Sequence, residues 1–170
     1  MRFVPALLFR RSLPLLVCLL LARPCVADTT GPLCVTPPTI DWHVHYQGGA
    51  VGDVYTLEPP EGHIAAFTLA RWTPPSRVDQ LPHLLATISA HFAAAAQGDP
   101  KIVFDKPDPA QGEIIGDPFT GRYAAYSLKG GLLEVLFLLS DGKTLWHGHY
   151  VGPAAGWDDA RRVLEVLKKW

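Results

Sequence analysis

The chain has 170 residues, of which 48% are hydrophobic and 18% charged, with 15 Lys+Arg against 16 Asp+Glu. That length and apolar content suit one domain with a core large enough to hold itself. A balance at or below neutrality excludes the basic surface that binding to nucleic acid or an anionic membrane requires.

Residues 1–27 read as a secretory signal peptide. Arg2, Arg10 and Arg11 form the positive n-region, "LPLLVCLLLA" the apolar h-region, and Ala27 the small residue at −1 of the cleavage site. The apolar run is too short to span a bilayer, and neither Cys18 nor Cys25 follows the small residue of a lipobox. Its apolar strength favours the ordinary secretory route over the twin-arginine one. The expectation is a periplasmic or secreted protein, cleaved after Ala27 and left without a stable membrane anchor. Cleavage leaves 143 residues, with 11 Lys+Arg against 16 Asp+Glu. Only Cys34 then remains of three cysteines, so no internal disulfide is expected. Cys34 reads as a tolerated thiol, the sharper alternatives being an intermolecular disulfide or a metal ligand.

Residues 28–38 are rich in Pro, Thr and Gly and read as an extended N-terminal arm. A single domain follows over 39–170. Its first segments, "IDWHVHYQ", "DVYTLE" and "HIAAFTLARW", alternate as half-buried strands do. A helix is predicted in "SRVDQLPHLLATISAHFAAAAQG". Asp79 is its expected N-cap, Pro82 falls in the first turn, and Gly98 stops it as the C′ residue. Leu81, Leu84, Leu85, Ile88, Phe92 and Ala95 make its apolar stripe, and His83 and His91 read as surface or core-edge residues.

"KIVFD" and "GEIIG" are short strand candidates, and "FTGRYAAYSL" is a longer one. "LLEVLFLLSDGKTLWHGHYV" is the clearest hairpin, turning at Asp141-Gly142, a pair that tolerates positive φ. Its first arm is apolar almost throughout, as in a central strand covered on both faces. A last helix, "WDDARRVLEVLKKW", gathers Trp157, Ala160, Val163, Leu164, Leu167 and Trp170 on one side. Asp158 and Asp159 fall near its positive end, and Lys168 and Lys169 near its negative end. The order of elements predicts an α+β fold: one mainly antiparallel sheet with two principal helices packed on it.

Two stretches share the string W-H-x-H-Y-x-G-x-A-x-G, from Trp42 and from Trp146. Alternation puts Trp42, Val44 and Tyr46 on one face and His43 and His45 on the other. The second copy likewise opposes Trp146, Gly148 and Tyr150 to His147 and His149. The aromatic face is the natural core face. Histidines at i and i+2 of a strand stand side by side, and imidazole suits zinc, copper or nickel. If the two strands are neighbours, His43, His45, His147 and His149 converge on one ion. The alternative is two polar strand faces that share only a strand-to-turn geometry. Gly48, Gly52, Gly152 and Gly156 read as turn residues after each strand, not as a phosphate cradle.

No catalytic motif is present. The chain lacks G-x-S-x-G and H-E-x-x-H, and Glu58, Glu61, Glu113, Asp117 and Glu134 show no acid–base spacing. They read as solvated turns and strand edges. An enzyme is not expected.

The stretch "LLEVLFLLSDGKTLWHGHYVGPAAGWDDARRVLEVLKKW" resembles the closing hairpin and helix of PsbP-like domains, including bacterial DcrB-like secreted proteins. The likeness lies in the apolar strand, the Asp141–Lys143 turn, the aromatic-bearing strand and Trp157 opening the final helix. It implies an antiparallel sheet flanked by helices and a non-catalytic binding, assembly or chaperone role. The histidine pairs form no part of it, so it implies no site residue.

The leading expectation is an exported bacterial protein of the periplasm, without cofactor, that binds another protein as an inhibitor, immunity-type or assembly module. Its surface would include exposed aromatics and the loops "KPDPAQGEIIGDPFTG" or "QGGAVGD". The alternative is a periplasmic transition-metal binder using the four histidines.

Overall fold

Tyr55, Leu57, Phe67, Leu69, Val135, Phe137, Leu139, Trp146 and Tyr150 alternate along their strands, and all are buried. That period of two builds one apolar sheet face, as the sequence pattern predicts. The computed structural model describes residues 31–39, 41–50, 52–60, 66–72 and 78–169; the signal-peptide reading of residues 1–27 lies outside them. The elements are β1 (Leu33–Cys34), β2 (His43–Gln47), β3 (Val54–Glu58), β4 (Ala66–Trp72), α1 (Leu81–Gln97), β5 (Ala110–Ile115), β6 (Thr120–Leu128), β7 (Leu132–Ser140), β8 (Leu145–Pro153), α2 (Ala154–Glu165) and β9 (Lys168–Lys169).

Seven strands form one sheet in the order β2-β3-β4-β8-β7-β6-β5. Every neighbouring pair is antiparallel. The sheet is two meanders, β2–β4 and β5–β8, joined where β4 lies against β8 from Ala66↔Val151 to Trp72↔Leu145. The expected α+β class is what forms, with the sheet dominating the two helices.

The larger core lies between one sheet face and α2, whose Trp157, Ala160, Val163 and Leu164 are buried against it. Fully burying a side chain such as Val163 or Leu164 is worth about 1.5–3 kcal/mol. On the other face, Leu81 and Leu85 of α1 pack on Ala124, Tyr126, Leu136 and Leu138 of β6 and β7. Strand β7 therefore has a helix on each side, and it is buried from Val135 to Ser140. Its apolar run is explained.

The Asp141-Gly142 turn is also as expected, with Gly142 at φ +82°. Asp141 Oδ1 accepts hydrogen bonds from the backbone N–H of Lys143 (2.9 Å) and Thr144 (2.6 Å) and from the Thr144 hydroxyl (2.9 Å). Lys169 Nζ pairs with its other oxygen.

Several local expectations are corrected. Asp79 is not the N-cap of α1: it lies in a 3-10 turn, Val78–Gln80, and Gln80 caps the helix. Gly98 ends α1 as the C-cap itself, at an ordinary φ of −87°, its N–H donating to the Ala95 carbonyl and that of Asp99 to the Ala96 carbonyl. "KIVFD" is not a strand and contributes one bridge, Phe104↔Leu128. Helix α2 starts three residues before Trp157 and ends at Glu165, because Lys168 and Lys169 leave it to pair with β1.

The N-terminal arm is docked rather than loose. Leu33, Cys34 and Val35 are buried, and the Leu33 N–H donates to Tyr55 Oη at 2.8 Å. Cys34 is disulfide-bonded in the uncleaved chain; the expectation of no internal disulfide concerned the chain without residues 1–27. The chain's other cysteines, Cys18 and Cys25, lie outside the described residues.

Candidate functional site

The two W-H-x-H-Y segments become β2 and β8, and their faces are as alternation requires. Trp146 and Tyr150 are buried in the larger core, with Trp42, Val44 and Tyr46 packed against it. All four histidines point to the opposite face, the one α1 partly covers. The register makes a row across four strands: His45↔Thr56, Thr56↔Thr68 and Thr68↔His149.

That row also separates the pairs. Strands β3 and β4 lie between β2 and β8, so His45 and His149 stand three strand spacings apart, about 14 Å at ~4.8 Å each. The four imidazoles do not converge, because the adjacency on which a shared ion depended is not formed. Among the described residues, no group of three or more His, Cys, Asp or Glu is placed to hold a metal ion.

Much of the repeated string has a packing role. Tyr46 Oη donates to Asp53 Oδ1 (2.7 Å) and Tyr150 Oη to the Pro153 carbonyl (2.8 Å). Each ring end lies over a glycine, Gly48 or Gly156, where a Cβ would collide with the hydroxyl. The turn reading of the second set is corrected: Gly152 lies within β8 and Gly156 within α2.

The two pairs live in different surroundings. His43 and His45 sit on the sheet's edge strand, exposed to water. His45 faces Glu58 at 3.5 Å, with side chains 62% and 60% exposed. Such a pair contributes little to stability. His147 and His149 sit on a central strand and are half-buried. They line a cavity of about 240 Å³ between α1 and the sheet, walled by Leu85 and Ile88 and reaching Thr68 and Glu134. Larger hollows of about 310 and 490 Å³ lie beyond the two ends of α1 and hold no histidine.

Glu134 is the residue that the sequence reading misplaced. It is neither in a turn nor on a strand edge but in central β7, with its side chain only 14% exposed. A single acid inside "LLEVLFLL" was the available signal, since a charge in a strand covered on both faces has to be accommodated. Its carboxyl Oε1 lies 3.8 Å from His149 Nε2, and His149 Nδ1 lies 3.0 Å from Thr68 Oγ1.

Burial raises the Glu134 carboxyl to about 7. It also holds His149 and His147 below the usual imidazole range, and for His147 the neighbouring His149 adds to the effect. Desolvation outweighs mutual attraction here, so the cavity favours an uncharged acid beside an uncharged imidazole. With the carboxyl protonated, its O–H faces Nε2 and Nδ1–H donates to Thr68. With the carboxyl ionised, Nε2–H faces it and the Thr68 hydroxyl donates to Nδ1. The His147 and Trp72 rings meet edge to face, with centroids 5.1 Å apart at 89°.

Thr68, His149 and Glu134 line up as a hydroxyl, a base and an acid on β4, β8 and β7. Thr68 lies inside β4, whose backbone is laddered to β3 and β8.

No protein-family model matches the chain, and no curated protein matches it. A crystal structure at 1.50 Å resolution, of a protein from Bacteroides thetaiotaomicron VPI-5482, is similar over 84% of this chain with 10% identity and a TM-score of 0.39. The chain spans about half of that protein's length, 49%.

Proposed function

We propose that the protein is an exported, non-catalytic module that binds another protein through the half of the sheet that α1 leaves open. One observation carries this reading. Helix α1 packs on β6 and β7, while Val54, Thr56, Thr68, Ala70, His147 and His149 stay only half-buried on the same face of β3, β4 and β8. Three interior strands with a half-open, mixed polar and apolar face offer complementarity without a basic or wholly apolar patch. An inhibitor, immunity-type or assembly role in the periplasm fits such a surface. Helices on both faces of an antiparallel sheet are also the arrangement a PsbP-like sandwich would have.

The test is photo-crosslinking in the exporting cell, with the reactive residue at Thr56 on the open face or at Arg162, exposed on α2. One partner captured from Thr56 and not from Arg162 is expected; equal capture, or none, overturns the reading. The transition-metal alternative is narrowed to pairs of imidazoles, above all His147 and His149. Zinc, copper or nickel found near stoichiometry in purified protein, with a raised midpoint lost in H147A/H149A, would establish it instead.

A further inference from the structure

We propose that the cavity between α1 and the sheet is a receptor for an alkylammonium group, the side chain of a lysine presented by the partner. This rests on the protein-binding reading and specifies what enters its surface. Glu134 is the acid in the lining, and among the described residues its one ionisable contact is His149. Among the described residues no Lys or Arg lines the cavity, and none of them pairs the carboxylate with a cation. His147 and the Thr68 hydroxyl oxygen supply further acceptors around it.

An ammonium has three donors that spread in different directions, whereas a guanidinium wants a flat, two-oxygen edge. One carboxylate with imidazole and hydroxyl acceptors on separate strands matches the ammonium. Leu85 and Ile88 provide an apolar wall for the methylene stem, which long cationic side chains cover readily. About 240 Å³ lies below the range for drug-sized ligands and suits one side chain. An anion would meet a carboxyl and two uncharged imidazoles, and nothing there would hold it.

The titratable groups around Glu134 are His149 and His147 on β8 and Tyr126, opposite it on β6. A cation binds the ionised acid. With the carboxyl at about 7, its ionised fraction rises about tenfold between pH 6 and pH 8.

The experiment titrates n-butylammonium chloride into the full exported protein and follows the His147 and His149 ring resonances by NMR, with tetramethylammonium as control. Saturable shifts with butylammonium only, about tenfold tighter at pH 8 than at pH 6, and at least tenfold weaker in Glu134→Gln, are expected. No saturable shift, or equal affinity in Glu134→Gln, overturns the proposal. Because glutamine keeps the shape of the site, unchanged ring resonances in free Glu134→Gln exclude misfolding as the cause. Failure of the broader reading looks different. If Thr56 captures a partner as well from Glu134→Gln as from the native chain, protein binding stands and the ammonium receptor falls. If butylammonium binds and Thr56 captures nothing, the reverse holds.

Discussion

Replacing Glu134 with glutamine should remove one limb of the protein's pH–stability profile. The carboxyl moves from 4.5 to about 7 on folding, through burial. A raised acid binds more protons folded than unfolded, so its contribution is complete below pH 4.5 and is lost as pH rises through about 7. At about 1.4 kcal/mol per pH unit the full loss is about 3 kcal/mol. Water at the cavity mouth screens part of this and leaves about 1–2 kcal/mol. His147 and His149 act in the opposite sense: with their values held down by burial, stability falls as pH drops below the ordinary imidazole value of 6.5. The native profile mixes both limbs, and the difference between native protein and Glu134→Gln isolates the acid. Urea unfolding at half-unit steps from pH 4.5 to 9 should show the two proteins diverging through pH 5–8, with glutamine the more stable at pH 8. The corresponding midpoint rise on heating is about 2–6 °C. Curves that stay parallel across that window would refute the burial argument for Glu134.

Gly148→Ala should destabilise by about 2–4 kcal/mol, because its Cβ would run into the Thr68 carbonyl and stand 2.5 Å from the Phe137 ring; thermal unfolding checks this, and a loss under 1 kcal/mol would contradict the close approach of β4 to β8. Tyr55→Phe removes the buried hydroxyl that accepts the Leu33 N–H and should cost about 1–2 kcal/mol. It should also speed proteolysis in the arm before it affects the sheet.

Local chemistry carried much of the fold. The leucine stripe gave α1, Asp141-Gly142 gave the hairpin, and alternation put the aromatics of both W-H-x-H-Y copies inward and the histidines outward. Periodicity says which way a side chain points and not which strand lies alongside. The β4–β8 pairing joins segments about 80 residues apart, and it decides that the histidine pairs are separate. Tertiary pairing also overrode local preference at Lys168 and Lys169, which satisfy β1 instead of prolonging a helix. Glu134 was visible as an oddity in an apolar run, but its meaning depends on α1 ending its cover beside β8. That boundary is set by packing between elements distant in sequence.

The pairing of β1 with β9 also has a mechanical consequence. Leu33 lies opposite Lys169 and Cys34 opposite Lys168, so the chain enters and leaves at the same end of a two-rung ladder. Tension between whatever precedes Leu33 and whatever follows Lys169 acts across those rungs and opens them one at a time, like a zipper. The Leu33–Tyr55 hydrogen bond is the next link to part. A domain tethered by its ends would yield there first, with the seven-stranded sheet and its open face still unloaded.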